Sequence, residues 1–206
     1  MIKNIIFDLG GVLLKLDRDA CIKAYNDLGY NGFDKVLSEF HQSGFFMDYE
    51  KGLISSEEFR ILIKEHCEKG TSDESIDMAM GSFLIGIPVE KIRYIYKLRE
   101  RFHTYVLSNT NPVAMDYVRP MFNVDGLNME DFFDKIYLSY KMKLAKPDPE
   151  VYRYVLNDSG LTPCETLFID DSPINLKAAE EFGIKTLLID SESDFENEIE
   201  NALKWI

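Results

Sequence analysis

Acidic side chains directly follow apolar segments at two distant points of this chain. Asp8 follows the run Ile5–Phe7, and the pair Asp170 and Asp171 follows the run Leu167–Ile169. Carboxylates that are brought together repel one another unless a divalent cation lies among them, and hard oxygen ligands with room for water favour Mg²⁺. If the fold collects these aspartates, we expect a magnesium site and a carboxylate that could act as a nucleophile.

A hydroxyl, an amide and a lysine could complete such a site. Ser108 and Asn109 follow the apolar run Tyr105–Leu107, and Lys146 stands just before a predicted helix. A lysine and a hydroxyl can hold phosphate oxygens while a cation shields the incoming phosphate from the carboxylates. An aspartate that attacks phosphorus gives an aspartyl-phosphate, which water then cleaves. Each residue alone is common on a surface, but their shared position after apolar runs favours phosphoryl chemistry.

The apolar runs predict the sheet that must position these residues. Short, continuous apolar runs are typical of strands that are buried on both faces, and strands that alternate with helices indicate a parallel sheet. We therefore predict an α/β fold with a doubly wound, Rossmann-like parallel sheet, whose ligands bind beyond the carboxyl ends of the strands. The runs are Ile5–Phe7, Tyr105–Leu107, Ile136–Leu138, Leu167–Ile169 and Leu187–Ile189, each followed by a serine or an aspartate.

Two predicted helices begin next to candidate site residues. Asp148 and Pro149 have the residue types of an N-cap and a first helical position, and Ser172 and Pro173 repeat that pair. The free backbone N–H groups and the positive dipole ends of these helices would face the predicted site. Both helix starts are therefore suited to anion binding.

The segment between the first two predicted strands is too long for one crossover helix. Apolar spacing predicts helices that begin near Cys21 and Phe33, the latter reaching Phe40. Capping boxes at Ser55 and Thr71 predict two more. We expect residues 1–15 and 88–206 to form an α/β core and residues 16–87 to form an inserted α-helical bundle, a cap that moves about hinges near 14–16 and 88. A last helix is expected from Asp194 to Ile206.

Composition narrows the classes of partner and location. A net charge of −13 disfavours nucleic acid and anionic lipid surfaces as partners. No apolar stretch approaches the length of a membrane helix, and three widely spaced cysteines are typical of free thiols in a reducing compartment. We predict a cytoplasmic protein with a small phosphorylated substrate, and the oligomeric state is left open.

Four short motifs follow one another along the chain: Asp8–Val12, Ser108–Asn109, Lys146–Pro149 and Asp170–Asp171 with Asn175. Their order resembles that of the haloacid dehalogenase superfamily, specifically the phosphatase-like hydrolases with a helical cap after the first strand. By this resemblance Asp8 is the nucleophile and a Mg²⁺ ligand. It also implies Asp171 as the main acidic ligand, the Gly10 carbonyl as a further ligand, and Asp170 as a ligand or a partner of a ligand. The phosphate-binding residues that it implies are Ser108, Asn109 and Lys146, and Lys146 is also catalytic because it neutralises charge near Asp8.

One position departs from the family pattern. Phosphatases of this superfamily usually carry a second aspartate two residues after the nucleophile, as general acid and base, and Gly10 stands there in this chain. A subgroup of similar sugar-phosphate phosphatases shares an Asp-Leu-Gly opening. Asp17 or Glu50 could replace the missing acid, or the substrates could have good leaving groups.

The resemblance implies a Mg²⁺-dependent phosphatase that acts on small phosphorylated metabolites, such as sugar phosphates, through an aspartyl-phosphate on Asp8. Two alternatives remain at this point. A metal-independent 2-haloacid dehalogenase would also lack the second aspartate, but it would have little reason to keep Asp170 beside Asp171. A catalytically weak phosphate-binding or regulatory module is favoured by Gly10.

Overall fold

The predicted apolar runs form a single parallel sheet. The structure is a computed structural model that describes residues 1–37 and 44–205. Its main sheet has the strand order β5-β4-β1-β6-β7, with all neighbouring strands parallel, which confirms the doubly wound α/β prediction. The strands, numbered along the chain, are β1 Asn4–Phe7, β2 Lys15–Leu16, β3 Leu84–Gly86, β4 His103–Ser108, β5 Lys135–Leu138, β6 Thr166–Asp170 and β7 Lys185–Leu188.

The central strand β1 shows why continuous apolar runs were informative. Its side chains alternate between two cores: Ile5 and Phe7 belong to one buried cluster and Ile6 to the other. Alternation along a strand sends successive side chains to opposite faces, so a strand covered on both faces must be apolar at every position. β1 lies between β4 and β6 at the centre of the sheet, and all four of its residues are buried.

Helices cover both faces of the sheet. One core packs under α5 Val89–Leu98, α6 Pro112–Met121, α7 Met129–Phe132 and α11 Phe195–Trp205, and the other under α9 Pro149–Asp158 and α10 Pro173–Glu180. The short α8 Ser139–Met142 follows β5. Pro149 and Pro173 stand in the first turn of α9 and α10, as predicted, and Asp148 accepts a hydrogen bond from the Glu150 N–H at 2.9 Å. Helix α11 confirms the predicted last helix as far as residue 205.

The inserted segment is helical and has a core of its own. It contains α1 Arg18–Asp27, α2 Phe45–Glu50, α3 Ser56–Lys64 and α4 Asp73–Gly81. Aromatic rings pack together in its centre, with Tyr49 stacked on Phe59 at a centroid distance of 4.3 Å. This segment, residues 17–83, is called the helical segment below.

Two helix predictions in the helical segment are wrong in detail. The helix predicted from Phe33 is a 3-10 turn, Phe33–Lys35, and Phe40 lies outside the described residues. The N-cap of α4 is Ser72 rather than Thr71, whose hydroxyl donates instead to the Glu68 carbonyl at 2.8 Å. The capping box of Ser55 and Glu58 at α3 is confirmed.

The chain enters the helical segment through one short strand and leaves it through another, and these two strands pair as a small antiparallel sheet. Lys15 and Leu16 of β2 pair with Gly86 and Leu84 of β3. The two connections therefore lie side by side next to the carboxyl edge of the main sheet, near the predicted domain boundaries at 15 and 88. Within residues 1–37 and 44–205, no helix has the combination of length and apolar character needed to cross a membrane.

Candidate active site

The strands deliver the predicted site residues to one cavity at the carboxyl edge of the sheet. Asp8 follows β1, Ser108 ends β4 and Asp170 ends β6, so all three lie at the same edge. The cavity has a volume of about 330 Å³, and the helical segment forms its opposite wall. Of the predicted residues, the cavity is lined by Asp8, Gly10, Ser108, Asn109, Lys146 and Asp171, while Asp170 is fully buried behind Lys146.

Lys146 connects two of the aspartates. Its ammonium nitrogen lies 2.9 Å from Asp8 Oδ2 and 2.6 Å from Asp170 Oδ2, and its side chain is 1% exposed. Burial alone would lower the pKa of Lys146, but the adjacent carboxylates of Asp170 and Asp8 outweigh it and raise that pKa. The lysine is therefore a fixed positive charge beside the predicted nucleophile.

Three carboxylates crowd together in this site. One oxygen each of Asp8, Asp170 and Asp171 lies within 4.8 Å of the others. Burial raises the pKa of Asp8 to about 7 against the opposing effect of Lys146, and burial together with the Asp170 charge raises the pKa of Asp171 to about 6. Lys146 thus compensates only part of the negative charge, and the donor set of clustered carboxylate oxygens fits a hard divalent cation.

A glycine allows the loop after β1 to approach Asp171. Gly11 has a positive φ of 75°, and a Cβ atom at this position would lie 1.9 Å from Asp171 Oδ2. No side chain fits in that gap, and L residues other than glycine rarely adopt such a backbone conformation. Gly11 therefore lets the loop that carries Asp8 and Gly10 pack directly against the Asp171 carboxylate.

The buried Asp170 organises the start of α10. Its Oδ1 accepts hydrogen bonds from the Ser172 backbone N–H at 2.8 Å and from the Asn175 amide at 3.0 Å, while its Oδ2 faces Lys146. Both oxygens thus contact donors. Asp170 fixes the position of Lys146 relative to the helix whose first residues border the cavity.

Asn109 has a structural use that the sequence did not indicate. Its side-chain amide donates to the Lys146 carbonyl at 2.9 Å, and its Oδ1 accepts from the Lys146 N–H at 2.9 Å. This reciprocal pair holds the chain at Lys146 against the end of β4. The amide nitrogen carries two N–H groups, so this pairing leaves one of them for a phosphate contact.

Comparison with known proteins agrees with this geometry. Residues 2–183 match the family model described as haloacid dehalogenase-like hydrolase. The chain belongs to this family. It is 38% identical over 200 residues to a D-ribitol-5-phosphate phosphatase of Bacteroides thetaiotaomicron, and the match covers 97% of both chains.

Solved structures of this hydrolase family extend the comparison. A HAD family enzyme of Bacteroides thetaiotaomicron, crystallised with magnesium and inorganic phosphate, superposes with a TM-score of 0.90 at 43% identity, covering 96% of this chain and 98% of that one. A HAD-like hydrolase of Porphyromonas gingivalis gives 0.92 at 37% identity, with both chains fully covered. A 2-haloacid dehalogenase of Pseudomonas syringae, at 16% identity and a TM-score of 0.61 with both chains fully covered, shares the fold.

One acidic residue of the helical segment also lies in the cavity of this hydrolase. Glu50, the last residue of α2, lines the cavity with Asp8 and Lys146 and is 5% exposed. Burial and the negative charge of Asp8 raise the pKa of Glu50 to about 8, against the opposing effect of Lys146. From the sequence alone, Glu50 is one of two possible replacements for the missing acid.

Ser139 contributes to the site and was missed at the sequence level. Its hydroxyl is fully buried, accepts from the Thr110 N–H at 2.9 Å and lies 2.6 Å from the Glu50 carbonyl oxygen, to which it can donate. The signal was present, because Ser139 is the polar residue that follows the run Ile136–Leu138. Ser139 thus links the end of β5 to the backbone of Glu50 in the helical segment.

Proposed function

We propose that this protein is a Mg²⁺-dependent phosphatase of small phosphorylated metabolites, with polyol and sugar phosphates as its substrate class. The observation that carries the proposal is the placement of Lys146 between Asp8 and Asp170 while Asp171 lines the same cavity. The names of the relatives support the substrate class, since one is a D-ribitol-5-phosphate phosphatase and another bound magnesium and phosphate in its crystal.

The acidic residues are assigned to the cation. Asp8, Asp171 and the backbone carbonyl of Gly10 would hold Mg²⁺, and Asp170 would flank it while fixing Lys146. The cation would offset the repulsion between carboxylates and phosphate and stabilise charge on the phosphoryl oxygens. The crowding of three aspartates within 4.8 Å supports this assignment.

The chain's own residues divide the reaction into two steps. Asp8 attacks phosphorus and forms an aspartyl-phosphate, and water then cleaves that acyl phosphate. The Lys146 ammonium, 2.9 Å from Asp8 Oδ2, would bind a phosphate oxygen and orient the nucleophile, with Ser108 and Asn109 on further oxygens. The charged contacts are already in place, so little rearrangement is needed when phosphate binds.

The helical segment is assigned to a cap. We propose that residues 16–87 form a cap domain over a core of residues 1–15 and 88–206, and that it moves about the paired strands β2 and β3. Closure would exclude water that competes for the phosphoryl group. A cytoplasmic location is part of the same proposal, and the free cysteines Cys21, Cys67 and Cys164 support it.

The test is phosphate release from a panel of polyol phosphates, sugar phosphates, nucleotides and an aryl phosphate. We expect release that requires Mg²⁺ and is lost in Asp8→Asn, while Asp116→Asn, at an exposed aspartate of α6, keeps full activity. Release that persists in Asp8→Asn would contradict the assignment of the nucleophile. The absence of release across the panel, or halide release from 2-haloacids without metal, would contradict the proposed function itself.

A further inference from the structure

The proposed reaction requires a proton donor that the loop after β1 does not supply. An alkoxide is a poor leaving group, so cleavage of an alkyl phosphate is faster when a side chain protonates the departing oxygen. Gly10 stands at the position where the family's phosphatases usually carry that acid, and it has no side chain. Any replacement must be a titratable group that faces the cavity from another element.

Glu50 is such a group. Its side chain is buried among the residues that line the cavity, with Asp8 and Lys146 on the sheet side. Its Oε2 is fully buried and, among the residues that the structure describes, has no hydrogen-bond partner. A buried polar atom without a partner is unfavourable by about 1–3 kcal/mol, and such an atom in a folded protein calls for an explanation, of which a catalytic role is one.

The backbone around Glu50 is fixed against the sheet domain. The Ser139 hydroxyl lies 2.6 Å from the Glu50 carbonyl oxygen, and Lys143 contacts the Gly52 carbonyl. Gly52 has a positive φ of 59°, and a Cβ there would lie 2.2 Å from the Tyr140 carbonyl oxygen. The turn that follows α2 therefore packs closely on α8, and this contact sets where Glu50 enters the cavity.

The other acidic candidate already has a local role. Asp17 is the N-cap of α1, and its side chain accepts a hydrogen bond from the Ala20 N–H at 2.9 Å. Its neighbours Leu16 and Arg18 line the cavity. Asp17 is not among the described residues that line it. Glu50 is thus the better placed of the two carboxyl groups.

We propose that Glu50 is the general acid and base of this phosphatase, in place of the side chain that Gly10 lacks. The inference rests on the proposed function. In the first step an Asp8 oxygen bonds to phosphorus, the ester P–O bond breaks with its electron pair on the departing oxygen, and Glu50 gives that oxygen its proton. In the second step the Glu50 carboxylate takes a proton from water, whose oxygen attacks phosphorus. The bond to Asp8 breaks, leaving inorganic phosphate and the original carboxylate.

The environment of Glu50 suits the first of these steps. Burial, strengthened by the charge of Asp8, raises the pKa of Glu50 to about 8 although Lys146 acts in the opposite direction. In the metal-free protein these effects favour the protonated carboxyl group. A pKa near the working pH is the condition under which one group can both give and take a proton in a catalytic cycle.

The test compares Glu50→Gln with wild type on two substrates that differ in leaving group. The substrates are the alkyl phosphate that the panel ranks first and p-nitrophenyl phosphate, whose nitrophenolate departs without a proton. We expect kcat/KM for the alkyl phosphate to fall about 10²- to 10⁴-fold and kcat/KM for the aryl phosphate to change little. Because the second step still needs a base, the variant should show a burst of nitrophenolate followed by slow turnover.

Controls separate this role from a structural one. Glu57→Gln, at an exposed glutamate in the first turn of α3, should leave both substrates unaffected. Glu50→Asp keeps the proton on a shorter side chain and should recover part of the activity on the alkyl phosphate that Glu50→Gln loses. Glu50→Asp also serves as the test variant if Glu50→Gln does not fold, and it should then lose more activity on the alkyl phosphate than on the aryl phosphate.

The contrary outcomes are distinct. Equal loss of kcat/KM on both substrates, or no loss on either, would overturn the role of Glu50 and leave the phosphatase function standing. A rise in KM for the alkyl phosphate with unchanged kcat would show that Glu50 binds a substrate hydroxyl instead. Wild-type protein that releases no phosphate from any substrate would overturn the proposed function and this inference together.

Discussion

Lys146 and Glu50 are both buried ionisable residues of the same cavity, but their surroundings are opposite. Lys146 contacts two carboxylates, whereas Glu50 Oε2 has no hydrogen-bond partner among the described residues. A buried charge is tolerated when it is paired, and a buried acid without a counter-ion tends to keep its proton. One residue is thus a permanent charge and the other a proton carrier, which matches the roles proposed for them.

Replacing Lys146 should destabilise the protein as well as abolish its activity. In Lys146→Met, the Asp8 and Asp170 carboxylates would face each other in a buried site without a cation between them. Breaking a buried pair of this kind is unfavourable by about 3–5 kcal/mol. We expect a loss near that range in urea denaturation without metal.

Lys135→Met is the matched control for Lys146→Met. Lys135 forms an ion pair with Asp158 on the surface, where such pairs contribute about 0–1 kcal/mol. If the two variants lost the same stability, the charge of Lys146 would not be holding the two buried aspartates together.

Glu50→Gln should change how stability depends on pH. The pKa of Glu50 is raised to about 8 in the folded protein, above the ordinary value of 4.5. Between those values the unfolded chain ionises while the folded protein stays protonated, so the stability that Glu50 contributes falls as pH rises. Glutamine does not titrate, and we expect thermal melts without metal to show a larger gain for Glu50→Gln at pH 8 than at pH 5. An equal effect at both pH values would mean that Glu50 is ionised in the folded protein.

At the scale of elements, the site depends on close packing between the loop after β1 and the start of α10. Gly11 of the β1 loop faces Asp171 before α10, and no side-chain atom stands between them. β1 and β6 are neighbours in the sheet, so the two loops are brought together by strand pairing. Their final approach is set by the missing Cβ atom.

Gly11→Ala should therefore disrupt the site beyond the effect of backbone conformation alone. A methyl group at position 11 would lie 1.9 Å from Asp171 Oδ2, which must move. Gly126→Ala is the matched control, because Gly126 has a similar positive φ of 81° and its added Cβ would have no atom of the described residues within 4 Å. We expect the control to lose about 1–2 kcal/mol and Gly11→Ala to lose more, together with Mg²⁺-dependent phosphate release. Denaturation and phosphate release check this, and equal stability loss with full activity would contradict it.

Strands and capped helices were predictable because local chemistry decides them. A strand covered on both faces is mostly apolar, as the run Ile5–Phe7 is, and the first turn is the helix position that favours a proline such as Pro149. The residues that follow the strands, Asp8 and Asp170, could be placed at one edge for the same reason.

Other elements depend on distant contacts that a local pattern does not contain. Helix α2 is a short helix with Phe46, Tyr49 and Glu50 buried, so it lacks the polar stripe of a surface helix. The pair β2 and β3 forms between residues that are far apart in the chain. The pairing of Asn109 with the Lys146 backbone is likewise a tertiary contact.

For the whole molecule, excess negative charge and the acidic site are linked. The chain carries a net charge of −13, and three of its carboxylates are held within 4.8 Å of one another. Folding brings those three carboxylates together, and a cation that binds only the folded site stabilises the folded state. Metal binding and stability should therefore be coupled in this protein.

Mg²⁺ should raise the melting temperature through this site. A ligand that binds only the folded state stabilises it by about 2.7 kcal/mol at a concentration of about 100 times Kd. For a chain of this size such a gain corresponds to a rise in Tm of roughly 5–10 °C. We expect Asp171→Asn to abolish most of this rise and Asp116→Asn, on the surface of α6, to preserve it.

The same melts must separate specific binding from general screening. KCl at matched ionic strength reduces the repulsion of a net charge of −13 without occupying a divalent site, so it should give only a small rise in Tm. If KCl reproduced the effect of Mg²⁺, or if Asp171→Asn kept the full rise, the stabilisation would come from screening of the acidic surface. A rise that needs Mg²⁺ and Asp171 together would tie the cation to the carboxylate that faces Gly11.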